Sequence, residues 1–563
     1  MKTLMIGVFI LFHTTGLIAQ TTVPIPDTLS GSTISLMIAD SSYQFFPGQP
    51  TATIGYNGAF LGPTILLNKG QHVNMEVMNM LMDTTTTHWH GLHVSPANDG
   101  SPHTPIFAGT TWQPDFTVLD KAGTYWYHPH LHGKTMEQVL LGAAGMIIVR
   151  DSEEATLNLP RRYGIDDFPL ALQWKTFDTL TNQLVMNDEL DNAVMVNGAI
   201  NGQLDVPAQM VRLRILNGSS HRFFYLAMND NRNFNVIAGD ESLLNAPVSM
   251  NRLMVSPGER YEIVVDFSGQ AGSTFFLRQL GTSLPAGYPG GPPDGMGMMP
   301  MGPLDNTDFD IMRFNVQPTT ADPITSLPAA LTTNTVTPTT GAGSRSFLMQ
   351  GVPMMSMTNF TINGAQFDEG VINFQVEQDS VLIWNLTNQS MMPHPWHIHG
   401  NYFYINSING SAPPAHMQGR KDVVTVAPMG GTAQIIMKFE DFSDAMMPYM
   451  YHCHILSHED NGMMGQFLVT ARTTDISMTG SATGVSSFPN PSNDSWTITG
   501  SSKDAAVRLS LLTITGVTVQ QTLTSPVNGR FMQRMDASAL PAGVYLLKIE
   551  ENNTITTIKL LKR

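Results

Sequence analysis

The chain has 563 residues, with 29 Lys and Arg against 45 Asp and Glu, and its net charge of −16 excludes a polyanion such as nucleic acid as the natural partner. A single cysteine excludes intramolecular disulfides, so stability has to come from large apolar cores. The length exceeds one ordinary domain, and 48 Gly and 36 Pro with few long helical periodicities point to an all-β chain of short strands and turns.

Residues 1–20 read as a secretory signal peptide: Lys2, an apolar run from Leu4 to Phe12, then small residues near Ala19. The expected destination is therefore outside the cell or on its surface, with no transmembrane segment in the mature chain. Residues 21–155 alternate short apolar runs, such as His72-Val73-Asn74-Met75-Glu76-Val77, with turn signals, as a β-sandwich does. Two motifs stand out here, His88-Trp89-His90 and His128-Pro129-His130. In each His-x-His an extended backbone turns both imidazoles to the same side, as metal ligands require.

Residues 156–320 form a second sandwich pattern whose one histidine, His221, reads as a packing or surface residue, so this segment is expected to be free of bound metal. The Thr- and Pro-rich residues 321–344 read as a linker. Residues 345–474 are a third sandwich, carrying His394-Pro395-Trp396-His397-Ile398-His399 and then Tyr451-His452-Cys453-His454, followed by His458, Glu459 and Met463. Residues 475–484 are a second linker. Residues 485–563 make a small β module with eight Lys and Arg against five Asp and Glu, a reversal of balance that marks a separate unit.

The stretch around Cys453 organises the rest. Thiolate, imidazole and a distant thioether are the ligand set of a blue-copper electron-transfer site. On a strand, Cys453 points to one face while His452 and His454 point to the other, about 6.6 Å apart. One short peptide then serves a copper on one face and a second metal centre behind it. Four His-x-His pairs supply eight imidazoles from two domains. Shared among three borderline metal ions with open positions, they suit dioxygen, whose reduction to water takes four electrons. His93 and His132 stand close to these motifs and read as supporting or structural residues. Asp99, nine residues after His90, and Glu459, directly after His458, are carboxylates close to these motifs.

These four motifs, in this order and divided between the first and third domains, resemble the three-domain multicopper oxidases, the group of laccases and bacterial cuprous oxidases, over roughly residues 40–472. The resemblance implies three cupredoxin-like Greek-key β-sandwich domains and four copper ions. It places His394, Cys453 and His458 on a type 1 copper, with Met463 as the long axial ligand. It places His88 and His397 on a type 2 copper. His90, His128 and His454 fall on one type 3 copper, and His130, His399 and His452 on the other. Cys453 carries the electron, Asp99 and Glu459 match family positions that relay protons to oxygen, and the partners are dioxygen and a small electron donor.

The expected donor is phenolic or organic, as for laccases. Oxidation of Cu(I) is the alternative, because 37 methionines include clusters at Met296–Met301, Met349–Met357, Met391–Met392 and Met446–Met450. Against Cu(I), Ser390-Met391-Met392-Pro393-His394 lacks the acid that cuprous oxidases carry just before this histidine. A copper-binding protein without turnover is the further alternative. The last module, with Pro489-Asn490-Pro491, Leu540-Pro541-Ala542-Gly543-Val544-Tyr545 and basic final residues, resembles the C-terminal sorting domain of type IX secretion. It implies recognition by that machinery.

Overall fold

The computed structural model describes residues 21–186, 190–293, 302–351, 360–472, 485–551 and 554–563. The expected signal peptide, the second linker, the Met296–Met301 loop and most of the Met349–Met357 cluster lie outside the described residues. The chain forms two compact units, Met1–Ala471 and Arg472–Arg563.

The first unit is built from six sheets that pair across three apolar cores. In the first pair, one sheet runs in the order Thr28–Leu29, Thr64–Asn68, Gly145–Arg150, Gly123–His128, His88–His90. It faces a sheet ordered Thr51–Tyr56, Thr33–Tyr43, His72–Asn79, Thr111–Trp112. Alternation over Thr33–Ile38 and along His72–Asn79 sends Ile34, Leu36, Ile38, Val73 and Val77 inward against Ile65, Leu67, Ile147 and Val149. Thr33–Tyr43 pairs in parallel with His72–Asn79, strands that are not consecutive, as Greek-key connections require.

The second pair joins a seven-stranded and a five-stranded sheet over Leu170, Leu213, Ile215, Phe224, Ile263 and Phe314. In the third pair, two five-stranded sheets enclose Phe347, Trp384, Trp396, Tyr451 and Phe467, and the same core contains Cys453 and Met463. Among the described residues the α-helices are short: Thr135–Leu140, Ser152–Ala155 and Leu456–Asp460. None is long and apolar enough to cross a membrane.

The stretch expected to link the second and third sandwiches has no strand between Gln317 and Gly343, yet it is docked along the second sandwich. Ile324 O accepts Met210 N at 3.0 Å, Leu331 N donates to Asn245 O at 2.9 Å, and the Leu331 side chain is buried. Leu331 and the partly buried Leu327, two leucines in a Thr/Pro-rich context, pack on one apolar cluster of the second sandwich and anchor the stretch.

The second unit is itself a small β-sandwich. Its sheets run Ser486–Phe488, Ser495–Ser501, Arg530–Asp536 and Thr518–Thr524, Val507–Thr513, Gly543–Glu551, Thr554–Lys562. Trp496, Ile498, Leu509, Leu511, Leu547 and Leu560 fill the space between them.

Candidate metal centre

The histidine motifs are placed by strand register. His88–His90 pairs antiparallel with Gly123–His128 so that His88 stands opposite His128. Directly opposed residues share a face, and so do residues two apart, so His88, His90 and His128 all project one way. The third sandwich repeats the device: His397 stands opposite His452, while the next pair, Trp396 opposite Cys453, turns into the core. The alternation expected around Cys453 is therefore present. His454 follows the strand end, its N–H donating to Pro395 O at 2.7 Å.

The two histidine faces meet. The rings of His88 and His399 stack at 3.8 Å, as do those of His90 and His397. The Nε2 atoms of His130, His399 and His452 lie 3.1, 3.1 and 3.2 Å from one another. Candidate donor atoms gather within 4.8 Å in the groups His90/His128/His454, His130/His399/His452 and His88/His90/His397, all buried.

The tautomers follow from the outer partners. Nδ1 of His88, His128, His397 and His452 donates to the carbonyls of Asp99, Pro129, Asp422 and Cys453 at 2.8, 2.8, 2.9 and 3.0 Å. His399 Nδ1 faces Asp99 Oδ2 at 2.7 Å. Each of these rings therefore aims an Nε2 lone pair inward. His90 is reversed: its Nε2 faces Asp422 Oδ1 at 3.3 Å, which leaves Nδ1 as the donor. Nε2 of His88, His128 and His397, Nδ1 of His90 and both nitrogens of His454 have no hydrogen-bond partner among the described residues.

Burial, reinforced by the neighbouring imidazoles, pushes His128 down to about 3; burial, opposed by Glu459, pushes His130 to about 4, so both rings are neutral at ordinary pH. Converging lone pairs in a dry site repel unless a cation sits between them. An all-imidazole donor set suits a borderline ion such as copper.

A second group lies on the other face of the same strand. Cys453 Sγ is 3.3 Å from His394 Nδ1 and 3.6 Å from His458 Nδ1, and the two nitrogens are 3.2 Å apart. Ser390 Oγ, 2.5 Å from His394 Nε2, holds that ring with Nδ1 toward the sulfur. The helix Leu456–Asp460 folds His458 back over Cys453, helped by Leu456 N donating to Ser220 O of the second sandwich at 2.9 Å. Phe360 stacks on His458 at 3.8 Å. Met463 is fully buried, its N–H on His458 O and its carbonyl on Cys453 N. Burial pushes the Cys453 thiol up, so a bound cation is what displaces its proton.

Asp99 is fully buried, and burial raises its pKa well above the usual range. Glu459 is buried too, its carboxylate 3.1 Å from His452 Nδ1 and 3.5 Å from His130 Nε2. His93 bonds Gly400 O and Asp441 instead, at 2.5 and 3.1 Å. His132 is exposed, its ring against Phe367. His221 is buried at the edge of the cysteine group, its ring 6.1 Å from that of His458.

Four contributors had no sequence signal. Asp422 contacts His90 and His397 and is gripped by Arg260 Nη1 and Nη2 at 2.6 and 2.5 Å. Ser390 orients His394. Gly258, with φ +79°, lies so close that an added Cβ would sit 2.7 Å from His454 Cγ. Gly258 and Arg260 come from the second sandwich, which thus builds one wall of the histidine group.

The family description "Multicopper oxidase" matches residues 38–154, 171–287 and 338–473, and "Secretion system C-terminal sorting domain" matches residues 486–563. Multicopper oxidase mco of Staphylococcus haemolyticus is 34% identical over 435 residues, covering 76% of this chain and 86% of that protein. Cell division protein FtsP of Escherichia coli is 31% identical over 461 residues, covering 80% and 93%. The solved structure of the laccase-like multi-copper oxidase CueO of Ochrobactrum sp. superposes with a TM-score of 0.71 at 34% identity, over 80% of this chain and all of that one. Sequence likeness across all three sandwiches and a fold shared with a solved oxidase agree: this chain belongs to the multicopper oxidase family, oxidoreductases that the family name ties to copper, and its C-terminal module is a secretion sorting domain.

Proposed function

We propose that the protein couples one-electron oxidation of a phenol-like organic donor to the four-electron reduction of dioxygen to water. His394, Cys453 and His458, with Met463, hold one copper. His88 and His397 hold a second. His90, His128 and His454 hold a third, and His130, His399 and His452 the fourth. Bound copper supplies single-electron acceptance at the cysteine group and dioxygen reduction at the histidine group. The observation that carries this reading is the convergence of three buried Nε2 atoms 3.1–3.2 Å apart while two of the rings are pinned at Nδ1. A protein that only stored copper has no need of rings from two domains converging on one gap.

The chain's own residues do the rest. Cys453 is joined by its peptide bonds to His452 and His454, the shortest covalent link between the two groups. Asp99 Oδ2, buried against His399, and the Glu459 carboxylate, buried against His452, stand where protons that water formation consumes can be passed on. Export through the signal at residues 1–20 and the type IX route, by way of the C-terminal module, completes the proposal.

The Ochrobactrum structure is described as having oxidase activity towards lignin model compounds and lignosulfonate, which supports an organic donor here. The 37 methionines favour the second reading, Cu(I) as donor. Oxygen uptake, measured with a phenolic dye and with Cu(I) on protein of known copper content, ranks the two; uptake with neither refutes turnover. His397→Ala should keep the blue absorption and abolish oxygen uptake, and retained uptake would overturn the assignment of the histidine group.

A further inference from the structure

The outer face of the first sandwich carries a row of side chains that the copper centre does not use. On Thr33–Tyr43 and His72–Asn79 the inward residues Ile34, Leu36, Ile38, Val73, Met75 and Val77 are buried. Between them, Met37 and Met78 point to solvent, and they stand directly opposite each other in the parallel ladder. The alternation continues past the strand: Asn79 and Leu81 are buried, while Met80 and Met82 are exposed. The four methionines are 44%, 43%, 52% and 91% exposed, in chain order.

Their backbone is rigid. Met80 N donates to Ile38 O at 2.9 Å, which holds it beside the strand that carries Met37. The buried Asn79 side chain accepts Leu81 N at 2.9 Å and donates to Asp83 O and Ile106 O at 2.8 and 2.7 Å. The turn bearing Met80 and Met82 is thereby fixed from beneath.

Neighbouring strands lie about 4.8 Å apart, and alternate residues about 6.6 Å apart along a strand. Three torsions per methionine let the sulfurs of Met37, Met78 and Met80 close onto one ion, with Met82 as a fourth donor. Among apolar side chains, methionine alone adds a lone-pair donor. Glu76, on this face, is engaged by Ser35 Oγ at 2.7 Å, and Asp83, next to Met82, by Lys134 Nζ at 3.0 Å, so the patch offers sulfur rather than a free carboxylate. Thioethers select Cu(I) over hard cations.

We infer that Met37, Met78, Met80 and Met82 form a surface site for a soft monovalent cation, Cu(I), separate from the copper centre. It captures cuprous ion at the outer face of the first sandwich, whichever donor the oxidase uses.

Ag(I) is the probe, because it is soft and the enzyme cannot oxidise it. The copper-loaded full chain and its M37L/M78L/M80L/M82L variant are titrated with Ag(I), and bound ions are counted by native mass spectrometry and calorimetry. Leucine keeps the apolar volume and removes only the sulfur. The expected result is one Ag(I) fewer per chain in the variant, at unchanged Tm, unchanged blue absorption and unchanged oxygen uptake with a phenolic donor. X-ray absorption of the extra ion should show sulfur neighbours alone. Equal Ag(I) counts in the two proteins overturn the site. M78L/M80L serves if the fourfold change lowers Tm: it should weaken the same binding step at least tenfold, and unchanged affinity there overturns the site equally. Blue absorption and oxygen uptake report on the copper centre independently, so failure of one reading is distinguishable from failure of the other.

Discussion

Replacing Asp422 by Asn tests how the wall of the histidine group is held. Its two carboxylate oxygens grip Arg260 Nη1 and Nη2 at 2.6 and 2.5 Å, and neither side chain is exposed. Oδ1 also stands 3.3 Å from His90 Nε2. Asparagine keeps the shape but removes the charge and turns an NH2 group toward a cation. Arg260 is left in a dry site, with Asp240 3.8 Å away as its other carboxylate. Breaking a buried pair on one side costs about 3–5 kcal/mol. Unfolding entropy near 2.1 cal/mol/K per residue gives about 1 kcal/mol/K for the 471 residues of the first unit, so Tm should fall by about 3–5 °C. The assay is thermal unfolding of copper-free protein, followed by circular dichroism at one pH and salt concentration. The double change Arg260→Met/Asp422→Leu, which removes both charges, should lose less than Asp422→Asn alone. Because the Asp422 carboxylate also orients His90, chelator competition should show copper affinity reduced about 10–100-fold in Asp422→Asn. A Tm within 1 °C of wild type would refute the argument, since it would mean that Arg260 is paired or hydrated some other way.

Cys453→Ser should abolish the blue absorption of copper-loaded protein; a surviving blue band removes Cys453 from the metal. Gly258→Ala forces a left-handed alanine, costing about 1–2 kcal/mol, and drives a methyl into the His454 ring. Urea unfolding and metal analysis should show lower stability and lost copper, and full copper at an unchanged midpoint would contradict the close approach. Lys175 donates to Val139 O and Leu140 O at 3.1 and 2.7 Å, and burial, partly offset by Asp191, pushes it down to about 7. The unfolded lysine holds its proton until about 10.4, so between about pH 7 and 10 the unfolded state binds more protons and stability rises with pH. Lys175→Met should flatten that rise between pH 7 and 9, read as urea midpoints; an equally steep rise in the variant means that another group is responsible.

Much of the copper centre could be read from spacing because strand alternation is a local property. Residues two apart share a face wherever the strand lies, so each His-x-His and the opposed direction of Cys453 were legible in a few residues. Register across strands is not local: nothing near His88 says that His128 will stand opposite it. His458 was visible as a nearby histidine, but the turn of helix that brings it to Cys453 depends on Ser220, far away in the chain. Asp422 was illegible for a stronger reason. It lies in Arg420-Lys421-Asp422, where an acid among cations reads as surface charge, and its role appears only when Arg260 and His90 converge on it. The second sandwich, expected to carry no metal motif, also supplies Gly258 and Arg260, because close approach leaves no mark on composition.

The opposed pairs His88/His128 and His397/His452 divide the histidine group into halves, and His130 and His399, which touch across the divide, are 269 residues apart. A ribosome adding about 5–20 residues per second makes the earlier half about 15–50 s before the later one. Throughout that delay the first four imidazoles form an incomplete mouth, which would seize an ion with too few donors. The full donor set exists only once the third sandwich has been made. Ions held there would join the oldest and youngest parts of the unit, and stripping them should loosen that seam before either sandwich melts.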